Sequence, residues 1–275
     1  MNILKLIESF TNEGVIKSLG EKQSRRDSFA QFGKIGAGAA MAALPLSMLF
    51  TTKARAQSST PETATAALQL ALTLEYLEDE FYAIALDTNG LIPAADQAII
   101  AQISQHEADH VAFLQQALGN AAPAKPEFDF TGAQGGAQPA LLDPFGDYAT
   151  FLAVAQAFED TGVRAYKGQA GNLMSNGDLL TAALQIHSVE ARHASQIRRL
   201  RGQKGWITGN SRGDLPSFTQ PIYDGEQNTV HGGANIVGLT ATNGPALTNN
   251  GATESFDEIL TGQQATTIAS IFIVP

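Results

Sequence analysis

Between Pro61 and Arg201 apolar positions recur every three or four residues in four long runs, the period of an amphipathic helix. The first run extends from about Thr63 to Asp87, with Leu70, Leu74, Leu77, Phe81 and Ile84 as its stripe and Thr88-Asn89-Gly90 as its stop. The second covers about Pro93 to Leu118 and ends at Gly119-Asn120. The third starts near Asp143-Pro144, a favourable cap followed by proline in the first turn, and continues to about Gly168. The fourth covers about Asn176 to Arg201, and its closing Arg198, Arg199 and Arg201 suit the negative end of a helix dipole.

The links between these runs predict their arrangement. A handful of residues joins the first to the second and the third to the fourth, which forces antiparallel neighbours; about 25 residues rich in Ala, Pro and Gly separate the second from the third. That length reaches from one end of a bundle to the other, so the expected fold is all-α, a four-helix bundle with one long crossover between helices 2 and 3. Beyond residue 203 helical periodicity fades, and Gly, Asn and Thr dominate. Trp206, Ile207, Phe218, Ile222 and Tyr223 are spaced there as apolar anchors for an irregular segment lying on the bundle, and Leu260 to Ile273 suits a final short helix or strand.

Polar residues inside the predicted helices form an internal repeat. Helix 1 contains Glu75 and, seven residues on, Tyr82; helix 2 contains Glu107 and His110. Helix 3 contains Glu159 and, seven residues on, Tyr166; helix 4 contains Glu190 and His193. The order Glu-x6-Tyr then Glu-x-x-His thus occurs twice, with 32 residues between Glu75 and Glu107 and 31 between Glu159 and Glu190. Residues three apart lie on one helix face, so each Glu-x-x-His pair can offer a carboxylate and an imidazole to one metal, or place a carboxylate between two. The full set is four carboxylates and two imidazoles, suited to iron or manganese and acceptable to zinc. Carboxylates buried in a bundle core are costly unless paired or bound to cations.

This constellation resembles the ferritin-like superfamily over about 140 residues, and the Glu-x6-Tyr spacing is similar to that of bacterioferritins and rubrerythrins. The resemblance implies a ferritin-like four-helix bundle holding two iron ions, alternatively manganese. Glu75 and Glu159 match the single-helix ligands, Glu107 and Glu190 the bridging carboxylates, and His110 and His193 the terminal imidazoles. Tyr82 and Tyr166 match tyrosines near the site, as candidates for a redox role. Glu78, one turn from Glu75, is an alternative or additional ligand; His187 reads as an outer neighbour, and His231, in a glycine-rich loop, as uninvolved. The implied chemistry is oxidation of Fe(II), or reduction of oxygen or peroxide in stress protection; manganese would suit catalase-type disproportionation. Nothing specifies the hollow shell of subunits that iron storage needs, although a homo-oligomer stays open.

Two other readings compete. Residues 106–110 satisfy the H-E-x-x-H pattern of zinc metalloproteases, with His106 and His110 on zinc and Glu107 as base. Helix 4 carries Val189 where His106 sits, which favours Glu-x-x-His as the meaningful unit. The bundle could also serve stress tolerance structurally, without turnover.

Charge and composition bear mainly on the termini and the partners. The chain has 275 residues, 44% apolar, and no cysteine, which excludes disulfides, thiolate metal sites and a cysteine nucleophile. Residues 1–56 carry a net charge of +4 and the rest −14, a body that repels nucleic acid and favours cations. Arg25-Arg26, a Gly/Ala-rich apolar stretch from about Gly33 to Phe50 and Ala54-Arg55-Ala56 resemble a twin-arginine export signal and its cleavage site. The expected layout is therefore residues 1–56 as signal, 57–202 as bundle and 203–275 as extension, with a periplasmic or extracellular mature protein and no stable membrane insertion after cleavage. The leader and the tail segment Glu254 to Glu258 together resemble exported bacterial ferritin-like proteins related to desiccation-related proteins.

Overall fold

A computed structural model describes residues 63–240 and 244–275; the arginine pair, apolar stretch and cleavage motif of the expected leader lie outside the described residues. Four long helices dominate: α1 (Ala64–Asp87), α2 (Gln97–Leu118), α3 (Tyr148–Gln169) and α4 (Gly177–Leu200). Three begin at side-chain caps, with Thr63, Asp147 and Asn176 accepting from backbone N–H groups of the first turn. Two starts fall later than the sequence suggested. Pro93 to Asp96 form a turn, so α2 opens at Gln97. Asp143 accepts from the Phe145 N–H in a turn of its own, leaving Asp147 to cap α3.

The chain makes two hairpins, α1–α2 and α3–α4, each packed most extensively within itself. Residues between α2 and α3 form the long crossover, so the fold is all-α with the expected topology. The two hairpins join through an aromatic core. Phe81 of α1 stacks on Phe151 of α3 at 5.1 Å and meets Phe158 edge-on at 5.0 Å, with Phe130 and Phe145 of the crossover packed beside it.

Residues beyond Arg201 wrap the α1–α3 side of the bundle. They contain a two-residue β-hairpin, Val230–His231 (β1) with Ala234–Asn235 (β2), and two short helices, α5 (Asn249–Thr253) and α6 (Gly262–Ala269). The final stretch is part helix, part extended. After α6, Ile273 bridges to Phe128 and the Val274 N–H donates to the Glu127 carbonyl, tying the C-terminus to the crossover. Ile207, Ile222 and Tyr223 are buried anchors of this wrap, whereas Trp206 is 47% exposed, its indole N–H directed at the Glu254 carboxylate. No described helix is long and apolar enough to cross a membrane.

One buried cation ties several parts of the wrap to α3. Arg164, on the outer face of α3 and 1% exposed, donates to the carbonyls of Glu258, Ile222, Asp224 and Ile259 and pairs with Glu226 at 2.7 Å. One turn away Asp160 pairs with Arg198 of α4 and accepts from the Tyr223 hydroxyl at 2.7 Å. Gly168 lets the backbone of Leu260 lie directly on α3: a Cβ there would fall 1.9 Å from the Leu260 carbonyl oxygen. Removing one partner from a buried ion pair strands the other charge. Arg164→Met is therefore expected to destabilise the protein by about 3 kcal/mol, and to release residues 203–275 to proteolysis before the four-helix region. Denaturant titration with limited proteolysis tests this; an unchanged midpoint and cleavage pattern would show that Arg164 is not the anchor.

Candidate metal centre

The repeat converges in the middle of the bundle. Glu75 comes from α1, Glu107 and His110 from α2, Glu159 from α3, and Glu190 and His193 from α4; the four carboxylates are each 0% exposed. Their donor atoms fall into two groups, each with all its members within 4.8 Å of one another: Glu75, Glu107, His110 and Glu190 in one, Glu107, Glu159, Glu190 and His193 in the other. Glu107 and Glu190 belong to both. Glu107 divides its oxygens between the halves, Oε2 lying 3.1 Å from His110 Nδ1 and Oε1 2.8 Å from His193 Nδ1.

Alignment of these atoms bears on what they can hold. His193 Nδ1 and Glu107 Oε1 are close, yet both lack a hydrogen bond, as do Glu159 Oε2 and both oxygens of Glu190. Close approach without hydrogen-bond alignment is what results when donors aim at a common third point. Buried polar atoms without partners are rare and costly, and a pair of cations would satisfy the whole set. The donors are hard oxygens and imidazole nitrogens, which fit iron or manganese.

The tyrosines cross between the hairpins. The Tyr82 hydroxyl of α1 donates to Glu159 of α3, and the Tyr166 hydroxyl of α3 donates to Glu75 of α1. Burial, then the neighbouring carboxylates, push both phenols well above their ordinary range, so both keep their protons. They act here as fixed donors that hold one oxygen of each single-helix glutamate.

Three further residues line the cluster, of which only Gly162 was not singled out in the sequence. Gly162, one turn after Glu159, makes room for Glu190: a Cβ there would sit 2.9 Å from Glu190 Oε2 and 3.4 Å from Glu78 Oε1. A glycine inside a helix costs about 1 kcal/mol relative to alanine, and that was the available signal. Glu78 is 2% exposed and lies against this group, outside both candidate ligand sets, its Oε2 without a partner. Burial, then Glu190 and Glu159, push its carboxyl well above the ordinary range. His106 is the third. It stacks on His193 at 5.2 Å, with His106 Nδ1 2.9 Å from His193 Nε2 and its own Nε2 2.7 Å from Gln102 Nε2. It therefore backs His193 and joins neither candidate ligand group, whereas a metalloprotease site needs it on the same zinc as His110. His187 is partly buried and outside both groups, and His231 stacks on Phe256 in the extension.

A bundle of four helices with a carboxylate–imidazole core defines the class of protein. A family model for the ferritin-like domain matches residues 63–203, and the chain belongs to that family. No curated protein matches the chain.

The proton content of the cluster makes its stability depend on pH. Burial alone would lower His193, but Glu159 and Glu107 outweigh it and hold the imidazole up at about 11. His110 is likewise raised, with Glu75 and Glu107 overcoming burial. Burial pushes Glu107 up to about 7 against the pull of the two histidines beside it, and pushes Glu190 well above its ordinary range with help from Glu107 and Glu75. All four raised values mean that the folded, metal-free chain binds more protons than the unfolded chain, so its stability falls as pH rises. The Glu107 penalty grows between its unfolded value and about 7, while the His193 contribution is whole below its unfolded value and is lost on the approach to about 11. The metal-free melting temperature should therefore decrease between about pH 5 and about pH 8, and in excess metal the trend should reverse, because the ions displace those protons. A metal-free melting temperature that rises over this interval would contradict the assignment.

His106, standing behind His193, has a different role from a ligand. His106→Ala should weaken metal binding about tenfold, the usual effect of losing the partner behind a ligating imidazole, and leave the number of bound ions unchanged. Loss of an ion, read by titration calorimetry and elemental analysis, would place His106 on the metal after all.

Proposed function

We propose that this chain is an exported ferritin-like protein that holds a dinuclear metal centre, with iron as the resident metal and manganese as the other ion its ligands accept. The observation that carries this reading is the division of Glu107 between two ligand groups that also share Glu190. Glu75 and His110 would complete one position, Glu159 and His193 the other. Bound ions of this type supply one-electron chemistry toward oxygen or peroxide. The surrounding residues keep the site dry and fixed: Tyr82 and Tyr166 hold the single-helix glutamates by their hydroxyls, and His106 orients His193. Oxidation of Fe(II) or removal of oxygen or peroxide follows as the activity, in a protective role outside the cytoplasm. Export is supported by the arginine pair and small-residue motif of residues 24–56.

Elemental analysis of the purified chain beside a Glu107→Ala, Glu190→Ala double variant tests the centre. About two iron or manganese ions per chain, absent from the variant, are expected. One zinc per chain that survives Glu190→Ala alone would restore the protease reading. No bound metal would leave a purely structural bundle.

A further inference from the structure

Between the extension and α3 lies a groove of about 540 Å³. Its walls are aliphatic and aromatic: Leu152, Phe158 and Phe272 are buried there, while Leu142, Leu200 and Phe218 keep part of their surface in solvent. A concave apolar space of this size lies in the range of small-molecule sites, about 300–1,000 Å³. Covering its half-exposed apolar surface would be favourable in proportion to the area removed from water. None of the six candidate metal ligands lines the groove, so the site is separate from the metal centre.

The edge of the groove carries one charge of each sign, in unlike surroundings. Arg201 lines it with a side chain 8% exposed, Asp214 with one 70% exposed. On its inner side Arg201 donates to Gln156 Oε1, a neutral group that is itself buried. On its outer side Nη2 pairs at 2.8 Å with Asp214, its only carboxylate partner among the described residues. A largely buried cation thus depends on an exposed anion. Such a pair contributes little, because the exposed partner is almost as well served by water. A carboxylate arriving along the apolar walls would meet the same guanidinium where water is scarce, and there a charge-assisted bond is stronger. We propose that the groove binds a free long-chain monocarboxylate, its tail laid on the apolar walls and its head on Arg201 in place of Asp214. A neutral chain would leave the guanidinium unanswered, and a cationic head would be repelled by it.

Titration calorimetry of the full chain with decanoate, and with decanol as the uncharged counterpart, tests this. Decanoate should bind once per chain, about tenfold more tightly than decanol. Arg201→Gln should weaken decanoate about tenfold and leave decanol unchanged. Asp214→Asn should act in the opposite direction, tightening decanoate several-fold by removing the competing carboxylate. Ala153 lines the groove from α3 and is partly exposed, so Ala153→Phe should fill the space and abolish binding of both molecules. Thermal melting of each variant separates lost binding from lost folding. Because Asp214 is exposed, its variant still decides the matter if Arg201→Gln does not fold. Equal affinity for acid and alcohol, decanoate affinity unmoved by Asp214→Asn, or binding retained in Ala153→Phe would overturn the proposal, as would no binding at all.

Discussion

Five carboxyl groups meet in the interior of this bundle, Glu75, Glu78, Glu107, Glu159 and Glu190, none more than 2% exposed. Charges so placed cannot remain unless protons, imidazolium groups or metal ions neutralise them. The rest of the architecture reads as a response to that demand. Each helix delivers its share at the same level of the bundle, both histidines turn a nitrogen inward, and two tyrosines spend their only protons on the single-helix glutamates. The two hairpins interlock, because each one's tyrosine serves the other's carboxylate. Neither hairpin has a complete site without its counterpart.

Keeping such a cluster dry sets requirements at a distance. Helix α3 is buried on nearly every face, since it meets the carboxylate–imidazole cluster on one side and the extension on the other. Its outward polar residues are consequently internal as well, and Asp160 and Arg164 need partners of their own, which Arg198, Tyr223, Glu226 and the carbonyls of the extension provide. The extension thus completes the seclusion of the helix that carries Glu159.

Much of this was legible in the chain because the governing signals are periodic. The three- and four-residue spacing of apolar positions marked the helices, short and long links gave the topology, and the doubled Glu-x6-Tyr, Glu-x-x-His order picked out eight residues that the fold brings together. Helix starts were displaced where a proline or aspartate formed a preliminary turn, as at Pro93 and Asp143. What periodicity does not encode stayed hidden. The pairing of His106 with His193 joins residues 87 apart, and Arg164 reaches carbonyls 58 to 95 residues away. Contacts of that kind depend on the relative placement of elements, and Trp206, apolar yet half exposed, shows that residue type alone does not decide how deeply a side chain is buried.

Arg164 seizes the extension mainly by peptide oxygens. Every amino acid supplies one, so the grip is indifferent to which side chains decorate residues 203–275. The outward surface of the wrap is thereby free to drift, or to be reshaped for new tasks, while the helix behind it and the chemistry it shelters stay where they are.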